Sequence, residues 1–460
     1  MDWAGAVGAA GDVAVREWAM FAAFGFLLLG AGDIAVDMLW IGRALKRRLA
    51  RRAPWPTAED LPPPCRPGPI AVFVPAWQEA EVIGAMLAHA AAAFGASDYR
   101  LYVGCYPNDP ATIAAVRAAK MPKARLLVGP VPGPTSKADC LNRLWERMLA
   151  DEDEEGRRFK AVVLHDAEDV VHSAELRVFD ALVERFDLVQ LPVLPLIDPH
   201  ARWIGGHYAD EFAEAHGKEL VVREALGAGL PSAGVGCALA RGALDRMTAA
   251  HGMPFDPDSL TEDYELGLRL RALGGRAAFV RLPAGPGRPV VATRGYFPAT
   301  LEAAVSQKAR WVTGIALSGW DRLGWSGGLA ERWMRLRDRR SLLAALLLFA
   351  ACLTLLLWSG LFAAELMGAR PMAPLPPFLA LLLTVNAGLL LWRLAMRFAF
   401  VARSYGWREG LCALPRVVVG NLIAMLAARR AVICYLGIRR TGRATWDKTA
   451  HAFPQQLPAE

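Results

Sequence analysis

The stretch AVVLHDAEDVV, residues Ala161–Val171, joins four apolar residues to a turn that holds three carboxylates within four positions. A short, continuous apolar run is typical of a strand buried in a parallel sheet. Because residues two apart in an extended segment face the same way, Asp166 and Glu168 can converge on one cation while Asp169 points away. Such oxygen ligands suit Mg²⁺ or Mn²⁺. Taken alone, the motif is equally typical of an acidic turn at the end of a strand.

Short apolar runs of this kind alternate with helical patterns along the middle of the chain. Strands are predicted at Ile70–Val74, Arg100–Cys105, Ala124–Val128, Ala161–Leu164, Leu188–Leu191 and Ala277–Val280. Helices between the first five are predicted at Glu79–Phe94, Ala111–Lys120, Lys137–Leu149 and Ala174–Phe186. This alternation predicts an α/β fold with a Rossmann-like, mostly parallel sheet that binds ligands at the carboxyl ends of its strands. The acidic run Asp151–Glu155 is interpreted as a solvated loop.

Hydrophobic residues make up 54% of the 460-residue chain and are concentrated in a few segments. Trp18–Ile41 is mostly apolar and about as long as a bilayer is thick, which predicts a transmembrane helix. A basic flank follows it, consisting of Arg43, Lys46, Arg47, Arg48, Arg51 and Arg52. The flank places its end of the helix in the cytoplasm. A secretory signal peptide is the less favoured alternative, because the basic cluster follows the apolar run and no small-residue cleavage pattern is present.

Two further spans are predicted at Leu342–Leu366 and Phe378–Phe400, joined by the Pro-rich turn Met367–Pro377. The basic segment RWMRLRDRR precedes the first of them, so the large middle part of the chain is expected in the cytoplasm. The region Leu411–Gly437 is apolar but contains Arg429 and Arg430. We interpret it as helices at the cytoplasmic interface, with a fourth span as the alternative.

Charged residues occur inside the predicted spans. Asp33 and Asp37 lie one turn apart in the first span, and Arg393 and Arg397 one turn apart in the third. Since unpaired charges are costly in lipid, these two pairs are expected to meet inside the bundle. Snorkelling of Arg397 to headgroups is the alternative.

The length predicts two or three structural units. The expected organisation is a transmembrane helix (1–42), a basic and Pro-rich linker (43–69), the α/β domain (70–325), a basic interface segment (326–341), two transmembrane helices (342–400), and interface helices with a tail (401–460). The net charge of +7 fits a lipid bilayer with anionic headgroups or a phosphorylated substrate, and no nucleic-acid partner is expected. The seven cysteines form no C-x-x-C pattern, which argues against a structural zinc site or a disulfide framework.

Two helical motifs supply further candidate site residues. SLTEDYELGLRLRALGG places Ser259 and Glu262 at capping-box spacing and Asp263 in the first turn, where it either complements the helix dipole or acts as a general base. QKARW places Gln307, Arg310 and Trp311 on one helix face, where the guanidinium can bind a diphosphate and the indole can support a sugar ring. Ordinary helix surface is the alternative for QKARW.

HDAED, TED and QKARW, in this order and between membrane helices, resemble the D-x-D, T-E-D and Q-x-x-R-W motifs of the processive family-two glycosyltransferases. These are the cellulose, chitin and hyaluronan synthases and their relatives. The resemblance runs from about Ile70 to about Trp325 and implies a GT-A fold and an inverting hexosyltransferase that depends on a divalent cation, Mg²⁺ or Mn²⁺.

The resemblance also implies residue roles. Glu79 and Asp109 would line the nucleoside pocket, Lys137 would bind the nucleotide, and Asp263, with Glu262 beside it, would be the catalytic base. Substrate binding is further assigned to Asp166, Gln307, Arg310 and Trp311, and the metal to Asp166 with Glu168 or Asp169. Glu168 replaces the second aspartate of D-x-D, so which residue is the second metal ligand stays open. GVGCALARGAL, Gly234–Leu244, resembles the small-residue loop near the acceptor.

Longer stretches resemble the bacteriophage adsorption protein B family: LHDAEDVVH, SLTEDYELGLRL, TRGYFPATLEAAVSQKARWV and TWDKTAHAFP. That family consists of inner-membrane glycosyltransferases associated with an exopolysaccharide that serves as a phage receptor. The resemblance implies a UDP-sugar donor, with an N-acetylhexosamine as the expected sugar, a growing polysaccharide acceptor and an export partner in the outer membrane. Relatives often carry a cyclic-di-GMP-binding domain after the membrane region. The sequence stops at Glu460, so such regulation, if present, is expected to come from elsewhere.

Two other functions remain open. One is transfer of a single sugar to a polyprenyl-phosphate carrier, against which Gln307–Trp311 speaks, because simple carrier-lipid transferases generally lack Q-x-x-R-W. The other is a non-catalytic membrane scaffold for polysaccharide export, against which the intact Asp263 and Arg310 speak.

Overall fold

The computed structural model describes residues 3–50, 56–368, 371, 374–441 and 451–455, with side chains from residue 9 onward. Its strands are β1 Ile70–Pro75, β2 Tyr99–Cys105, β3 Ala124–Val128, β4 Ala161–Leu164, β5 Leu188–Gln190, β6 Cys237–Ala240 and β7 Ala277–Phe279. The helices that accompany the sheet are α2 Ile83–Phe94, α3 Pro110–Ala118, α4 Lys137–Glu155, α5 Glu175–Leu182, α6 Ile204–Glu214, α7 Leu220–Ala225, α8 Arg241–His251, α9 Glu262–Ala272, α10 Leu301–Val312 and α11 Gly319–Leu323. The remaining helices are α1 Trp3–Leu49, α12 Leu329–Arg339, α13 Ser341–Leu366, α14 Pro377–Tyr405 and α15 Trp407–Thr441.

The seven strands form one sheet in the order β3-β2-β1-β4-β6-β5-β7. All neighbours are parallel except β6, which is antiparallel to both β4 and β5. Ile70 pairs with both Tyr99 and Ala161, so β1, β2 and β4 start level. Their carboxyl ends therefore lie at one edge, where a mostly parallel sheet binds its ligand.

Alternate residues of β1 enter two different cores, which is why the strand is apolar throughout. Val72 and Val74 pack with α2 and α5, while Phe73 packs with α4, α8 and α9 on the other face. All six β1 residues are buried. Burial of both faces in this way predicts continuous apolar runs, and it explains why the strands could be located from the sequence.

One local prediction about the α/β domain is wrong, and a second holds only in part. Asp151–Glu155 is the last turn of α4 and not a solvated loop; Asp151 is fully buried and pairs with Arg100 at 3.1 Å and with Arg125 and Arg147. The Gly234–Leu244 segment is not only a loop, because it contains β6 and the start of α8. Its small residues fit between β4 and β5, both of which are fully buried.

The predicted capping box at Ser259 is also wrong. Helix α9 begins at Glu262, its N-cap Thr261 makes no side-chain capping bond, and the Ser259 hydroxyl donates to Glu265 Oε1 at 2.7 Å. The later start of the helix leaves the side chains of Glu262 and Asp263 available to the pocket described below.

Four helices are long and apolar enough to cross a membrane: residues Ala9–Leu49, Ser341–Leu366, Pro377–Tyr405 and Trp407–Thr441. The chain is therefore membrane-associated, and the first three helices contain the three predicted spans. The fourth forms one continuous helix, with Pro415 inside it, where several interface helices were expected. Parts of the predicted basic flank (Arg51, Arg52) and of the turn 367–377 lie outside the described residues.

The described part of the Pro-rich linker, residues 56–69, has neither helix nor strand before β1, but it lies against the α/β domain. Ala58 is fully buried and its N–H donates to the Pro283 carbonyl at 2.8 Å. The N–H groups of Cys65 and Arg66 donate to the Glu184 carboxylate at 3.1 and 2.7 Å. The linker is thus part of the domain surface and not a free tether.

The expected pairing of charges between the first and third spans is confirmed for one pair only. Arg393 contacts Asp33. Asp37 pairs instead with Lys218 at 2.5 Å, and Arg397 lies 3.5 Å from Glu214. The two pairs therefore meet only through Arg393 and Asp33, because Glu214 and the helical turn that follows it bring their own charges to the membrane helices.

Candidate active site

A pocket of about 760 Å³ opens at the carboxyl edge of the sheet. Its walls come from the segments that follow β1 and β4, from the amino ends of α4 and α9, and from α10. Ten of the eleven predicted site residues line it: Glu79, Lys137, Asp166, Glu168, Asp169, Glu262, Asp263, Gln307, Arg310 and Trp311. Motifs that are up to 232 positions apart in the chain, from Glu79 to Trp311, therefore converge on one cavity.

Asp109, the remaining predicted site residue, does not line the pocket but lies behind its wall. Its carboxylate caps α3 by accepting from the Thr112 N–H at 3.2 Å, and it accepts from the Gln78 N–H at 2.6 Å. The second bond fixes the turn after β1, where Gln78 has a positive φ of 56°. Asp109 therefore positions the turn that carries Glu79. One of its oxygens caps α3 and the other holds the turn.

The HDAED turn after β4 is held from beneath by a buried histidine. His165 Nδ1 lies 2.9 Å from Asp169 Oδ2, and Nε2 lies 2.7 Å from Glu175 Oε1. Burial by itself would lower the pKa of His165, but Glu175 and Asp169 raise it to about 10, so the ring is an imidazolium that donates to both carboxylates. Asp169 Oδ2 also accepts from the Asp166 N–H at 3.0 Å. Asp169 thus points away from Glu168, as its spacing predicts, and the structure gives no support to Asp169 as a metal ligand.

Lys137 is the first residue of α4 and contacts Asp166 Oδ1 at 2.6 Å. Its helix is capped by Ser136, which accepts from the Asp139 N–H at 3.2 Å. Burial disfavours the charged lysine, but Asp166, Glu262 and Asp263 raise its pKa well above the usual value. The side chain is a permanent cation beside three carboxylates at a helix amino end, where anions are favoured.

Asp263 lies against the backbone of the loop before β6. A Cβ at Gly234 would stand 2.6 Å from Asp263 Oδ2, and Gly234 has a φ of +75°. Burial raises the pKa of Asp263, against the opposing effect of Lys137 and Arg310. Burial and the neighbouring Asp263 raise the pKa of Glu262 to about 7. A carboxylate whose pKa is raised in this way is a stronger base at neutral pH.

Helix α10 presents its three predicted residues to the pocket. The Trp311 ring lies edge-on to Tyr208, with centroids 5.9 Å apart, and 6.5 Å from Phe297, so it belongs to an aromatic wall. Gln307 Oε1 is buried and has no hydrogen-bond partner among the described residues. Within the same part of the chain Arg310 has no ion pair within 4.0 Å. A guanidinium in this situation is available to an anionic ligand.

Sequence reasoning missed His451, which reaches the pocket from the far end of the chain. Its Nδ1 lies 2.9 Å from Glu79 Oε1 and 3.3 Å from Glu168 Oε2. Burial would lower the pKa of His451, but Glu168 and Glu79 raise it to about 9; burial raises that of Glu168 to about 8. The ligand atoms of the three residues lie within 4.8 Å of one another, a set that suits a divalent cation. No local pattern around His451 signals this contact.

Comparison with known proteins agrees with this geometry. Residues 67–314 match the model for "Glycosyltransferase like family 2". Bacteriophage adsorption protein B of Escherichia coli (strain K12) and bacteriophage N4 adsorption protein B of Escherichia coli O157:H7 are each 37% identical to the chain over 479 residues. Each alignment covers 99% of this chain, which spans 64% of the length of those relatives.

Among solved structures, a mannosyltransferase from Pyrobaculum calidifontis in complex with GDP-Man and Mn²⁺ is similar, with a TM-score of 0.51 and 17% sequence identity. The similarity covers 88% of this chain and 99% of that protein. It confirms the predicted GT-A fold.

Proposed function

The chain belongs to glycosyltransferase family 2, and from that premise we propose that it is an inverting, processive glycosyltransferase of the bacterial inner membrane. The proposed reaction polymerises a nucleotide-activated sugar, a UDP-N-acetylhexosamine, into an exopolysaccharide. The observation that carries this proposal is the convergence of Asp263, Arg310, Lys137 and Glu168 on one pocket at the carboxyl edge of the sheet.

The cationic side of the pocket fits the diphosphate of the donor. Lys137 stands at the amino end of α4, and Arg310 has no competing ion pair within the described residues. Both can hold phosphate oxygens and stabilise the charge that develops as the nucleoside diphosphate leaves. A divalent cation, Mg²⁺ or Mn²⁺, held by Asp166 and Glu168, would supply further charge compensation. The Pyrobaculum mannosyltransferase binds Mn²⁺ together with its nucleotide sugar, which supports this cofactor.

Asp263 is the proposed general base. It would take the proton of the acceptor hydroxyl while that oxygen attacks the anomeric carbon from the face opposite the diphosphate, which inverts the configuration. Glu262 lies beside Asp263, and the pKa of Glu262 is raised by the charge of Asp263. The close approach of Gly234 fixes the position of the Asp263 carboxylate. Trp311 and its aromatic wall offer the apolar face on which the sugar at the acceptor end can stack.

The membrane helices place this chemistry beside a lipid bilayer. The basic last turns of α1 and of α12, which precedes α13, support a cytoplasmic location of the α/β domain, where UDP-sugars are made. The similarity to the adsorption proteins B supports an exopolysaccharide product that is passed to an export partner in the outer membrane. The name of those relatives supports a product that a bacteriophage uses as its receptor.

The test is release of the nucleoside diphosphate by detergent-purified protein with Mn²⁺ or Mg²⁺. The donors are a panel of UDP-sugars with GDP-mannose included, and Asp263→Asn is measured in parallel. We expect UDP release with one donor and a loss of at least about 10²-fold in the variant, the usual contribution of a general base. Release of GDP alone would contradict the UDP-sugar assignment, and equal release by the variant would contradict the role of Asp263.

A further inference from the structure

Helix α10, a π-helical turn and α11 form one continuous helical run from Leu301 to Leu323. Its first part presents Arg310 and Trp311 to the pocket, and its last part carries Arg322, which lies outside the pocket lining. The π-helical turn Thr313–Ser318 lies between the two parts, and such turns occur frequently at functional sites. The run therefore connects two residues of the pocket to a charged residue beyond it.

Arg322 binds two carboxylates that support the beginning of α9. Its Nε donates to Glu265 Oε1 at 2.8 Å, and its Nη2 contacts Asp256. Arg269 closes the same network, since its Nη2 lies 2.7 Å from Asp256 Oδ2 and 2.8 Å from Glu265 Oε2. The Ser259 hydroxyl supplies Glu265 with a third donor at 2.7 Å. Because only 2% of the Glu265 side chain is exposed, this carboxylate depends on its protein donors, and Arg322 is the one that comes from the helical run.

The beginning of α9 touches the same helical run at a second point. Thr261, the N-cap of α9, packs against Gly314 of the π-helical turn, where a Cβ would stand 2.5 Å from Thr261 Cγ2. Asp263 lies between the two contacts, two residues after Thr261 and two residues before Glu265. The chain on either side of the proposed base is thus held by the helical run that carries Arg310.

We propose that Arg322 is a positioning residue for the general base, because it couples the helical run that carries Arg310 and Trp311 to the turn that carries Asp263. The acceptor hydroxyl has to lie within hydrogen-bond reach of the base as it attacks, so the base and the acceptor-binding helix must keep a fixed relative position. Arg322 reaches both carboxylates with one planar guanidinium, a geometry that the single ammonium of a lysine does not reproduce. This inference rests on the proposed function, since it concerns the base of that same reaction.

The test is a double-mutant cycle on the full chain, measured as release of UDP from the donor that the wild type uses. Arg322→Met removes both ion pairs but keeps an apolar side chain, and we expect it to lower kcat by at least about tenfold, as displacement of a reacting group does. In Asp263→Asn, where no base remains to be positioned, the same substitution should lower kcat by less than about twofold. Arg158→Met, which breaks an exposed ion pair with Asp245, is the matched control and should leave kcat unchanged in both backgrounds.

Arg322→Lys should retain more activity than Arg322→Met, because the charge remains while the bridge between the two carboxylates is lost. Thermal unfolding in detergent is measured for every variant, and Arg322→Lys carries the same cycle if Arg322→Met does not fold. An equal loss of kcat in the wild-type and Asp263→Asn backgrounds would overturn the inference, because Arg322 would then act independently of the base. Wild-type kcat in Arg322→Met would overturn it as well and leave the proposed function standing. Absence of UDP release by the wild type with every donor would instead contradict the proposed function.

Discussion

The adjacent carboxylates Glu262 and Asp263 both line the pocket, and their titrations depend on each other. Burial raises the pKa of Asp263, and burial together with Asp263 raises that of Glu262 to about 7. Because two neighbouring carboxylates resist being ionised together, the pair titrates as a unit. A base with a raised pKa is protonated, and therefore inactive, at a pH where an ordinary aspartate would still be charged.

The upward shift of the Asp263 pKa predicts how catalysis depends on pH. As the pH falls through the raised pKa of Asp263, kcat/KM should fall, so the acid limb is expected at a higher pH than the ordinary value of 3.8 for aspartate. Glu262→Gln removes the neighbouring charge and should move the acid limb to lower pH. The measurement is the pH profile of kcat/KM for both proteins. An acid limb at the same pH in wild type and variant would show that the pair is not coupled.

Arg310 is expected to act on the developing charge of the diphosphate. Arg310→Ala should lower kcat by about 10²- to 10³-fold, as the loss of one preorganised donor does. Arg310→Lys should recover part of the activity, because the charge remains while the bidentate geometry is lost. Arg332→Ala, at an exposed position of α12, is the matched control and should leave turnover unchanged. A similar kcat for Arg310→Ala and the control would rule out this role.

Gly234 allows the backbone to approach Asp263, the proposed base. In Gly234→Ala the new Cβ would stand 2.6 Å from Asp263 Oδ2, at a backbone φ of +75° that L-residues rarely adopt. We expect activity to fall far more than stability, since the substitution displaces Asp263 at the pocket. Gly242→Ala is the control, because nothing lies within 4 Å of its Cβ. The measurements are turnover and thermal unfolding of both variants. Unchanged turnover in Gly234→Ala would contradict the position assigned to Asp263.

At the scale of elements, α15 has two distinct faces. The face on the α/β domain carries Arg416, bonded to Asp210 at 2.6 Å, and Tyr435, whose hydroxyl donates to Asp321 at 2.6 Å. Further contacts between these positions come from Ile423, Ala427 and Ala431. Exposed apolar side chains on the opposite face are Leu411, Val418, Leu422, Ile433 and Leu436. Contact with the domain over nearly the whole helix favours a position at the cytoplasmic interface, with the apolar face in the lipid.

This orientation predicts where the two ends of α15 are accessible. Single cysteines at positions 408 and 440, introduced as Arg408→Cys and Arg440→Cys in a protein without its native cysteines, should both react with a membrane-impermeant maleimide in inside-out vesicles. Neither should react in right-side-out vesicles. A fourth span would instead expose the two ends on opposite sides of the membrane, and that labelling pattern would contradict the interface position.

Elements that are buried on both faces have a continuous apolar sequence and could be predicted. Features that depend on contacts with residues far away in the sequence were missed. Strands β1 and β4 are apolar because both faces are buried, so their position was readable. The short β6, with the residues CALA, has no such signal and depends on β4 and β5 for its pairing. Ser259 resembled a cap because of its spacing to Glu262, but its hydroxyl finds Glu265 within the fold. Asp151 looked solvated because its three arginine partners come from β2, β3 and α4.

At the scale of the whole molecule, buried ion pairs join the α/β domain to the membrane helices. Lys218 contacts Asp37 of α1 at 2.5 Å and Glu214 at 2.8 Å, with 3% of the lysine and 2% of the Asp37 side chain exposed. Because both partners are removed from water, losing one leaves an uncompensated charge, which costs more than the intact pair contributes.

Asp37→Asn is therefore expected to destabilise the full chain by about 3 kcal/mol, the cost of breaking a buried pair. The double variant Asp37→Asn with Lys218→Met should recover much of that loss, since it removes the unpaired charge. Thermal unfolding in detergent measures both, and Glu17→Gln, at an exposed position of the same helix, is the control. Equal transitions for the wild type and Asp37→Asn would show that the pair does not hold the domain to the membrane helices.

The sequence predicted the kinds of residue that line the candidate site, but it did not predict every residue that lines it. The motifs named ten residues that line the pocket because each motif keeps its residues close in sequence. His451 lies 283 positions after Glu168, and only folding across the membrane region brings the two together. The partner of Asp37 was missed for the same reason, since Lys218 could not be assigned to it from sequence spacing.

The size of the product tests the central claim, polymer formation, most directly. The full chain in detergent or inside-out vesicles is supplied with one radiolabelled UDP-sugar, and the product is resolved by length and digested with glycosidases of known anomeric specificity. We predict long chains of inverted linkage that appear while most acceptor is still unextended, and no such product from Asp263→Asn. A single sugar attached to a lipid carrier as the end product would contradict the account.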